Sequence, residues 1–304
     1  MSESQSVQQL TVSDQDHGQR LDNFLRKKLK GVPKSLVYRL IRKGQVRVNG
    51  GRRKADSRLA SGDLVRVPPV RTASREVSVP EAVQRQLEDR VVFQNDRLLI
   101  LDKPSGLAVH AGSGLSWGVI DALRESRRGE YLELVHRLDR ETSGCLMLAR
   151  NVEALREAQG WLKQDQVIKR YLCLLEGRLG DERTRVEQPL SRIRGPGGQS
   201  RSVVDPDGKY ALTQFKVLER GKHHSFAEAR IHTGRTHQIR AHAAFLGHPV
   251  AGDDLYGSRS ASQAFKKIGL TRLFLHCTSL ELPDGTIASA PLPGELTRVL
   301  DRLG

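Results

Sequence analysis

Apolar residues near the start of the chain recur every three or four positions, a spacing that predicts two short helices. The first stripe consists of Leu21, Phe24, Leu25 and Leu29, and the second of Leu36, Val37, Leu40 and Ile41. The dipeptide Asn49-Gly50 then predicts a tight turn after a short strand around Val48, and a closing strand follows at 64–67. We therefore expect residues 18–70 to form a small domain of two helices and a few short strands.

Apolar runs of strand length dominate the sequence from residue 91 onward. They lie at 91–93, 98–101, 145–149, 167–177, 211–218 and 225–231. A helix is predicted at 153–162, but helices and strands do not alternate regularly, so we expect an α+β domain over 91–304. The Gln- and Ser-rich segment 1–17 predicts a disordered tail, and the Pro-, Arg- and Ser-rich segment 71–90 predicts a linker that could hold one helical turn.

The positive charge of the chain is concentrated in the first predicted domain. The formal net charge is +15, and residues 18–70 hold fifteen Lys and Arg residues against three acidic residues, a net of +12 for this segment. A basic block of this kind indicates a polyanionic partner, with nucleic acid as the first choice and an anionic membrane surface as the second.

The apolar residues and cysteines indicate where the protein works. No apolar run reaches the roughly eighteen residues of a membrane span, so no membrane segment is expected. The segment Met1–Asp16 is polar and acidic, unlike a secretory signal. Cys145, Cys173 and Cys277 lie far apart in apolar surroundings, which is typical of buried free thiols in a reducing compartment. We therefore expect a cytoplasmic protein.

The stretch from His136 to Gly144 contains the candidate catalytic group. Apolar segments on both sides predict strands, which places Asp139 in a loop between two rigid elements. Arg137 and Arg140 flank Asp139, and cations this close favour an ionised carboxylate. A short Arg-Leu-Asp-Arg sequence alone is more typical of a structural ion pair, so the assignment depends on the longer stretch.

The longer stretch resembles the central motif of the RluA-type pseudouridine synthases. Its nine residues fit His-Arg-Leu-Asp-x-x-Thr-Ser-Gly, in which the Asp is catalytic. Other segments are similar to further motifs of that family in the same order along the chain. The segment 102–106 is similar to Asn-Lys-Pro-x-Gly, although Asp102 stands at the usual Asn position and no role is carried over to it. Tyr171 lies in a segment similar to the second motif, and 234–240 is similar to the third.

The resemblance implies a fold and a reaction. The catalytic domain would be α+β, with a mixed, largely antiparallel central sheet flanked by helices. The enzyme would isomerise uridine to pseudouridine in RNA after flipping the nucleotide out of its stack. Asp139 would act on the ribose, either by attacking C1′ or by removing the C2′ proton, and both routes stay open. No cofactor or metal is implied, because the reaction needs neither a redox step nor hydrolysis.

The resemblance also implies roles for other residues of the site. Arg240 would form a salt bridge with Asp139, and Tyr171 would stack on the uracil and help to remove its C5 proton after reattachment, which makes these three the catalytic residues. Arg137 would fill the position that the flipped base leaves, and Leu275 would form an apolar wall. The remaining substrate-binding residues implied by the third motif are His237 and Gln238.

The first domain resembles the S4 RNA-binding domain, chiefly over residues 35–50. Its expected phosphate contacts are Arg39, Arg42, Lys43, Arg52, Arg53 and Lys54. Such contacts give affinity without reading sequence. An S4 domain ahead of the catalytic domain is most similar to family members that modify large-subunit ribosomal RNA. The expected partner is therefore 23S ribosomal RNA or a large-subunit assembly intermediate, and the expected state is a monomer.

Three other interpretations compete with this one. The segment 114–118 fits Gly-x-Ser-x-Gly, the nucleophile motif of serine hydrolases around Ser116, but no strand is predicted directly before it, as that motif requires. His232, His237 and His242 suggest a metal site, yet a spacing of five turns helical side chains about 140° apart. The third interpretation is a non-catalytic protein that binds ribosomal RNA or an assembly intermediate through the same domains.

Overall fold

The chain folds into two compact units, at 1–78 and 79–304, and each has its own apolar core. The structure is a computed structural model that describes residues 7–29, 32, 34–70, 78–111, 116–195 and 199–304.

The first unit contains two helices and a three-stranded antiparallel sheet. Its elements are β1 (Gln8–Thr11), α1 (Leu21–Lys28), α2 (Lys34–Arg42), β2 (Arg47–Val48) and β3 (Leu64–Val67). The sheet order is β1-β3-β2. Most of the apolar helix positions are buried against strand residues such as Val65, as the spacing predicts. Asn49 and Gly50 have φ values of 50° and 78° and form the predicted tight turn.

The predicted disordered tail over 1–17 is wrong for the part that the structure describes. The strand β1 pairs with β3 in antiparallel register, with Gln8 opposite Val67 and Leu10 opposite Val65. Val12 follows it and is buried in the core of the unit. The Gln- and Ser-rich composition of this segment gave no indication that Leu10 and Val12 pack against the core. The strand that contains Leu10 pairs with β3, which would otherwise be an edge strand. Residues 1–6 lie outside the described residues.

A buried carboxylate ties the two helices of the first unit together. Asp22 accepts hydrogen bonds from Arg20 Nη2 at 2.9 Å and from the Tyr38 hydroxyl at 2.6 Å. The hydrogen bond from Arg20 outweighs the opposing effect of burial and, with that from Tyr38, lowers the pKa of Asp22 to about 2. The unit therefore depends on an ionised acid at this position.

The second unit is built from strands and helices in an irregular order. Its strands are β4 (Val91–Gln94), β5 (Leu98–Lys103), β6 (Glu133–Leu134), β7 (Ser143–Ala149), β8 (Ile168–Glu176), β9 (Arg183–Glu187), β10 (Leu190–Arg194), β11 (Ser200–Val204), β12 (Leu212–Arg220), β13 (His224–Ile231), β14 (Leu275–Glu281) and β15 (Ile287–Ser289). Its helices are α3 (Glu81–Glu88), α4 (Val119–Ser126), α5 (Val152–Lys163), α6 (Gln238–Phe245), α7 (Arg259–Lys267) and α8 (Gly294–Asp301).

Ten of these strands form one mixed sheet. The order along it is β4-β5-β7-β14-β8-β13-β12-β9, with β6 paired to β7 and β15 paired to β14, while β10 and β11 form a separate hairpin. The pairing of β7 with β14 is parallel, and the other pairs within this sheet are antiparallel. The expected α+β fold with a mixed, largely antiparallel sheet is confirmed.

The parallel pair at the centre of the sheet depends on one glycine. Gly144, at the start of β7, has a φ of 104°, and a Cβ built there would overlap the backbone carbonyl of Cys277 on β14. Only glycine allows this conformation and this close approach together. Gly144 is also the last residue of the candidate catalytic stretch, so the packing of the sheet fixes where the loop ends.

Several boundaries differ from the sequence-based expectation. The strand predicted directly before His136 is only the two-residue β6, and Ser143 and Gly144, which end the stretch expected to form the loop, begin β7. The predicted linker 71–90 is wrong from residue 79 onward, because α3 belongs to the second unit and buries Leu87 there. Residues 71–77 lie outside the described residues.

The serine-hydrolase geometry does not form in the part of the motif that the structure describes. Ser116 lies in a bend shortly before α4, and the nearest described strand before it, β5, ends at Lys103. Residues 112–115 lie outside the described residues. The three cysteines are buried and free, as expected.

Candidate active site

Asp139 lies in the loop that joins β6 to β7. The backbone carbonyl of Asp139 accepts a hydrogen bond from the Thr142 amide at 3.2 Å, and the preceding Leu138 is buried in the core. At the start of the loop, Nε2 of His136 accepts a hydrogen bond from the Met147 amide at 3.0 Å. Burial lowers the pKa of His136 to about 4, so its ring stays neutral and able to accept. The Asp139 side chain is 19% exposed, which leaves it open to a ligand.

A buried lysine holds this loop from the side. Lys103 is 0% exposed, and its Nζ donates to the carbonyls of Pro104 and Leu107 at 2.8 Å each and of Arg140 at 3.1 Å. The amide of Gly106 also donates to the Arg140 carbonyl, at 2.9 Å. Burial, with the charge of Arg272, lowers the pKa of Lys103 to about 7. Lys103 thereby joins the end of β5 to the residue directly after Asp139.

The carboxylate of Asp139 faces a narrow pocket of about 80 Å³. The pocket brings together all of the residues that the sequence predicted for the catalytic site: Arg137, Asp139, Tyr171, His237, Gln238, Arg240 and Leu275. Their roles remain predictions, but their convergence is a property of the fold. A second cavity of about 380 Å³ shares His237 and Arg240 with the pocket.

Tyr171 and Leu275 form the buried, apolar part of the pocket. Tyr171 lies on β8 and is 5% exposed, and Leu275 begins the neighbouring strand β14. Burial raises the pKa of Tyr171 well above its ordinary value, and Cys277 adds to this shift. The phenol is therefore protonated at neutral pH, and its ring offers a flat apolar surface. Arg137 is exposed at the pocket.

Arg240 does not form the predicted salt bridge with Asp139. Its Nε and Nη2 donate instead to the two oxygens of Asp253, at 2.6 and 2.8 Å. The Asp253 side chain is fully buried, so it needs a charged partner at this position, and the flat guanidinium fits it with two parallel bonds. Burial lowers the pKa of Arg240, but the bonds to Asp253 outweigh this and raise it overall. Arg240 still lines the pocket beside Asp139.

His237 is a pocket residue that lies close to the carboxylate of Asp139. Its Nε2 lies 3.9 Å from Asp139 Oδ2, and its Nδ1 lies 3.3 Å from the hydroxyl of Tyr256. Burial lowers the pKa of His237, although the Asp139 carboxylate acts in the opposite direction. His237 also precedes α6 with a φ of 52°, a left-handed conformation that is strained for a residue with a side chain. Such strain often accompanies a functional site.

Gln238 has a different role from the predicted contact with substrate. Its Oε1 accepts from the Thr233 hydroxyl and the Arg235 amide, and its Nε2 donates to the Leu212 carbonyl and the Thr213 hydroxyl. These four bonds use the hydrogen-bonding capacity of its amide. Gln238 therefore holds the loop before α6 in place, although it borders the pocket.

The three histidines that suggested a metal site lie in different surroundings. His232 contacts Asp165 and Gln214, whereas His242 contacts Thr213 and the Gln188 carbonyl. Over the described ranges, no group of three His, Cys, Asp or Glu side chains is placed to hold a metal ion. In the same ranges, no helix is long and apolar enough to cross a membrane.

The basic residues predicted for the first unit are all exposed. They are Arg39, Arg42, Lys43, Arg52, Arg53 and Lys54. Four of them, Arg42 and 52–54, surround one shallow cavity beside Tyr38. Arg52 packs over Gly44, where a Cβ would collide with its guanidinium. The cations of α2 and of the loop that follows β2 thus form one basic surface.

Two family profiles match the chain. The profile of RNA pseudouridylate synthase matches residues 97–245, and that of the S4 domain matches residues 19–65. The ribosomal large subunit pseudouridine synthase C of Yersinia pestis is 47% identical over 297 residues, which cover 96% of this chain and 91% of that protein. The protein of the same name from Pasteurella multocida (strain Pm70) is 44% identical over 309 residues, which cover 99% and 95%.

This chain belongs to the RNA pseudouridylate synthase family. Solved structures agree with this assignment. Human RNA Pseudouridylate Synthase Domain Containing 4 superposes with a TM-score of 0.62 and 27% identity, covering 73% of this chain and 95% of that one. Human RNA Pseudouridylate Synthase Domain Containing 1 gives 0.54 and 26%, covering 70% and 93%. The synthase is therefore an enzyme that makes pseudouridine, and the hydrolase interpretation of Ser116 is set aside.

Sequence reasoning missed three residues of the synthase that support the pocket. Lys103 anchors the loop that carries Asp139, Asp253 binds Arg240, and Tyr256 stacks under the Arg240 guanidinium at 5.1 Å. A signal existed for Lys103, because a lysine that ends a buried strand and precedes proline needs internal acceptors. Asp253 and Tyr256 could not be paired with Arg240 from the sequence, since that partner lies more than ten residues away.

Proposed function

We propose that the synthase converts uridine to pseudouridine in large-subunit (23S) ribosomal RNA, with Asp139 as the catalytic carboxylate. One observation carries the proposal: Asp139, Tyr171 and Arg240, which are distant in sequence, line a single pocket that is open to a ligand. The substrate follows from the relatives named as ribosomal large subunit synthases.

The reaction breaks the N1–C1′ bond of uridine, turns the free uracil and forms a C5–C1′ bond. The proton on C5 is lost and N1 gains one, so the isomerisation is balanced without any other reactant. Asp139 acts on the ribose as an anion, by adding to C1′ or by taking the C2′ proton. Either route requires the uridine to leave its stack, at a cost of a few kcal/mol.

The walls of the pocket suit a detached base. Tyr171 and Leu275 are nearly buried and offer apolar surfaces on which uracil can turn without exchanging with water. Because the phenol of Tyr171 is protonated, it serves as a stacking surface and hydrogen-bond donor, and Asp139 is the group that accepts the C5 proton. Arg137, exposed at the same pocket, fills the gap in the RNA stack.

Charge around Asp139 is arranged to keep it anionic near RNA. Arg240 is held in place by Asp253 through Nε and Nη2, which leaves Nη1 for Asp139 or for a substrate phosphate. Nε2 of His237 lies 3.9 Å from Oδ2 of Asp139, and the ring adds no negative charge beside the carboxylate. A carboxylate facing a phosphate chain would otherwise be repelled, so these neighbours favour binding as well as catalysis.

The S4-like unit adds affinity that does not depend on sequence. Its exposed cations, Arg42 and 52–54 among them, supply phosphate contacts, and these weaken as salt concentration rises. We place the synthase in the cytoplasm as a monomer, acting on free 23S RNA or on an assembling large subunit.

The test is tritium release from 23S RNA labelled at C5 of uridine, taken from cells that lack this protein. The wild-type chain should release tritium, whereas Asp139→Asn should release none and bind the RNA with unchanged affinity. Asp301→Asn, which removes an exposed carboxylate at the end of α8, is the matched control and should be fully active. No release by the wild type would leave a non-catalytic RNA-binding protein, and release by Asp139→Asn would refute the assignment of the carboxylate.

A further inference from the structure

One face of the large sheet carries five cations on four neighbouring strands. Reading across β8, β13, β12 and β9, the paired residues are Arg170, Arg230, Gln214 and Arg185. The adjacent row pairs Glu228 with Lys216 and Lys216 with Arg183. We call Arg170, Arg183, Arg185, Lys216 and Arg230 the arginine face. They border an open cavity of about 310 Å³.

This face is opposite to the one that carries the active site. Successive side chains of a strand point to opposite sides of a sheet, so Arg170 and Tyr171 lie on different faces. The residues between the cations, including Phe215 and Ala229, are buried in the main core with Tyr171. Arg183, Arg185 and Lys216 are exposed and Arg170 and Arg230 are half-buried. The cations are therefore available to a ligand that does not enter the pocket.

The positive charge of the arginine face is only partly compensated. Arg170 pairs with Glu281 and lies 3.7 Å from Glu228, and Arg185 pairs with Glu187 at 2.6 Å. No carboxylate of the described residues comes within 4.0 Å of the other three cations, which are Arg183, Lys216 and Arg230. Three unpaired cations on one face form an anion-binding surface.

Stability of the sheet does not explain this arrangement. Arg170 and Arg230 stand directly opposite each other on paired strands, and like charges in that position are destabilising. Charged residues on an edge strand can prevent aggregation, which accounts for Arg183 and Arg185 on β9. It does not account for Arg170 and Arg230, because β8 and β13 lie inside the sheet.

We propose that the arginine face binds the phosphate backbone of a second segment of the substrate RNA, remote from the uridine in the pocket. The inference rests on the proposed function, because only a large folded RNA can reach both faces of the sheet. Guanidinium groups bind phosphate oxygens in pairs, without reading bases. Strands about 4.8 Å apart spread the row over roughly 14 Å, which is enough for several phosphates. The face therefore favours extended ribosomal RNA over short hairpins.

The test compares two triple variants of the full chain. Arg183→Gln/Lys216→Gln/Arg230→Gln removes the unpaired cations of the face. Arg156→Gln/Lys163→Gln/Arg298→Gln removes three exposed cations from α5 and α8 and is the control. Binding to a transcript of a 23S RNA domain is measured over a range of salt concentrations. Thermal unfolding checks the fold, and the face variant should be at least as stable as the wild type because like charges have been removed.

For the long transcript, the plot of log affinity against log salt concentration has a negative slope. The face variant should make this slope less steep by about two to three. Its affinity for a short hairpin that carries the target uridine, and its turnover on that hairpin, should equal those of the wild type. An unchanged slope with the long transcript would overturn the proposal, as would an equal loss in the control variant. If the wild type releases no tritium from 23S RNA, the proposed function fails, yet the binding comparison still decides whether the face holds RNA. Loss of binding to phosphatidylglycerol vesicles alone would assign the face to a membrane instead.

Discussion

The ammonium group of Lys103 donates a hydrogen bond to the backbone carbonyl of Arg140, the residue that follows Asp139. The lysine is completely buried, and its two other acceptors are carbonyls of its own turn, so it cannot move without breaking that turn. Catalytic groups that shift by about 1 Å lose roughly 100-fold in rate. Lys103 therefore fixes the backbone next to Asp139, and we expect it to position the carboxylate.

Replacing Lys103 with Met should keep the fold and lose most of the activity. The Met side chain fills the same space but removes a donor from three carbonyls, of which that of Arg140 keeps the Gly106 amide, so the loop around Asp139 should shift. We expect kcat to fall by about 100-fold while affinity for RNA is kept. Single-turnover pseudouridine formation and RNA binding measure the two quantities.

Ser105→Ala is the control for this prediction. Ser105 donates to the Glu141 carbonyl at 2.7 Å, so it contacts the same loop through a solvent-exposed hydrogen bond. Its removal should change kcat only slightly, because water can replace an exposed bond. A folded Lys103→Met variant with the kcat of the wild type would show that the lysine does not position Asp139.

Gly144→Ala should prevent the second unit from folding, or destabilise it severely. The new methyl group would need the same space as the Cys277 carbonyl and would also be held at a φ of 104°. Gly129→Ala separates these two effects, because Gly129 has a φ of 89° and nothing within 4 Å of its Cβ position. The control should lose only about 1 kcal/mol of stability from backbone strain.

Denaturant unfolding followed by tryptophan fluorescence measures both glycine variants, since Trp117 and Trp161 both lie in the second unit. Equal losses of stability in the two variants would mean that the close approach of β7 and β14 contributes nothing.

The pair formed by Arg240 and Asp253 should show strong coupling in a double-mutant cycle. Asp253→Ala leaves the buried guanidinium without its partner, which should destabilise the unit by about 3–5 kcal/mol. Arg240→Met leaves the buried carboxylate unpaired and should cost a similar amount. The double variant removes both charges and should be less destabilised than the sum of the single variants.

Urea unfolding of the four proteins gives this coupling energy directly. Activity should stay low in the double variant even where stability returns, because Arg240 also lines the pocket with Asp139. Strict additivity of the two single losses would contradict the geometry of the pair.

The first unit should lose stability in acid through Asp22. The pKa of Asp22 is about 2 in the folded state and near 3.8 in the unfolded state, so folding favours the ionised form. Its contribution is therefore fully present above pH 3.8 and is lost as the pH falls towards 2. In Asp22→Asn this contribution is absent at every pH, so the unit should be weaker at neutral pH and change less in acid.

Pulsed hydrogen exchange, read on peptides from α1 and α2 of the full chain, measures this without interference from the second unit. The prediction would be contradicted if the wild type and Asp22→Asn lost protection from hydrogen exchange in parallel as the pH falls.

The sequence predicted which residues line the pocket where each one stands in a recognisable local segment. It did not predict interaction partners that lie far apart along the chain. Asp139 and Tyr171 stand in recognisable segments, and both reached the same pocket. Arg240 was correctly placed there, but its partner was wrong, because the choice between Asp139 and Asp253 depends on which carboxylate is more deeply buried. Gln238 was assigned to substrate because it lies in the segment similar to the third motif, and only the fold shows that its amide makes four hydrogen bonds within the protein.

Composition was a poor guide where a few residues decide the structure. The first seventeen residues resemble a disordered tail, yet Leu10 and Val12 are enough to add a strand to an open sheet edge. The helix α3 lies in a segment rich in charge, and the single buried side chain of Leu87 joins it to the second unit. The average composition of a segment does not show that one or two of its apolar side chains are buried in the core.

The position of β14 sets when the enzyme can first act during its synthesis. This strand supplies Leu275 to the pocket and lies between β7 and β8 in the sheet, although it follows both of them by about a hundred residues or more in the sequence. A growing chain that already contains Asp139 and Tyr171 thus has a gap in the middle of its sheet until residue 281 has emerged. Translation itself delays the appearance of a competent pocket, and an S4-like unit that folds early can hold RNA before any base is altered.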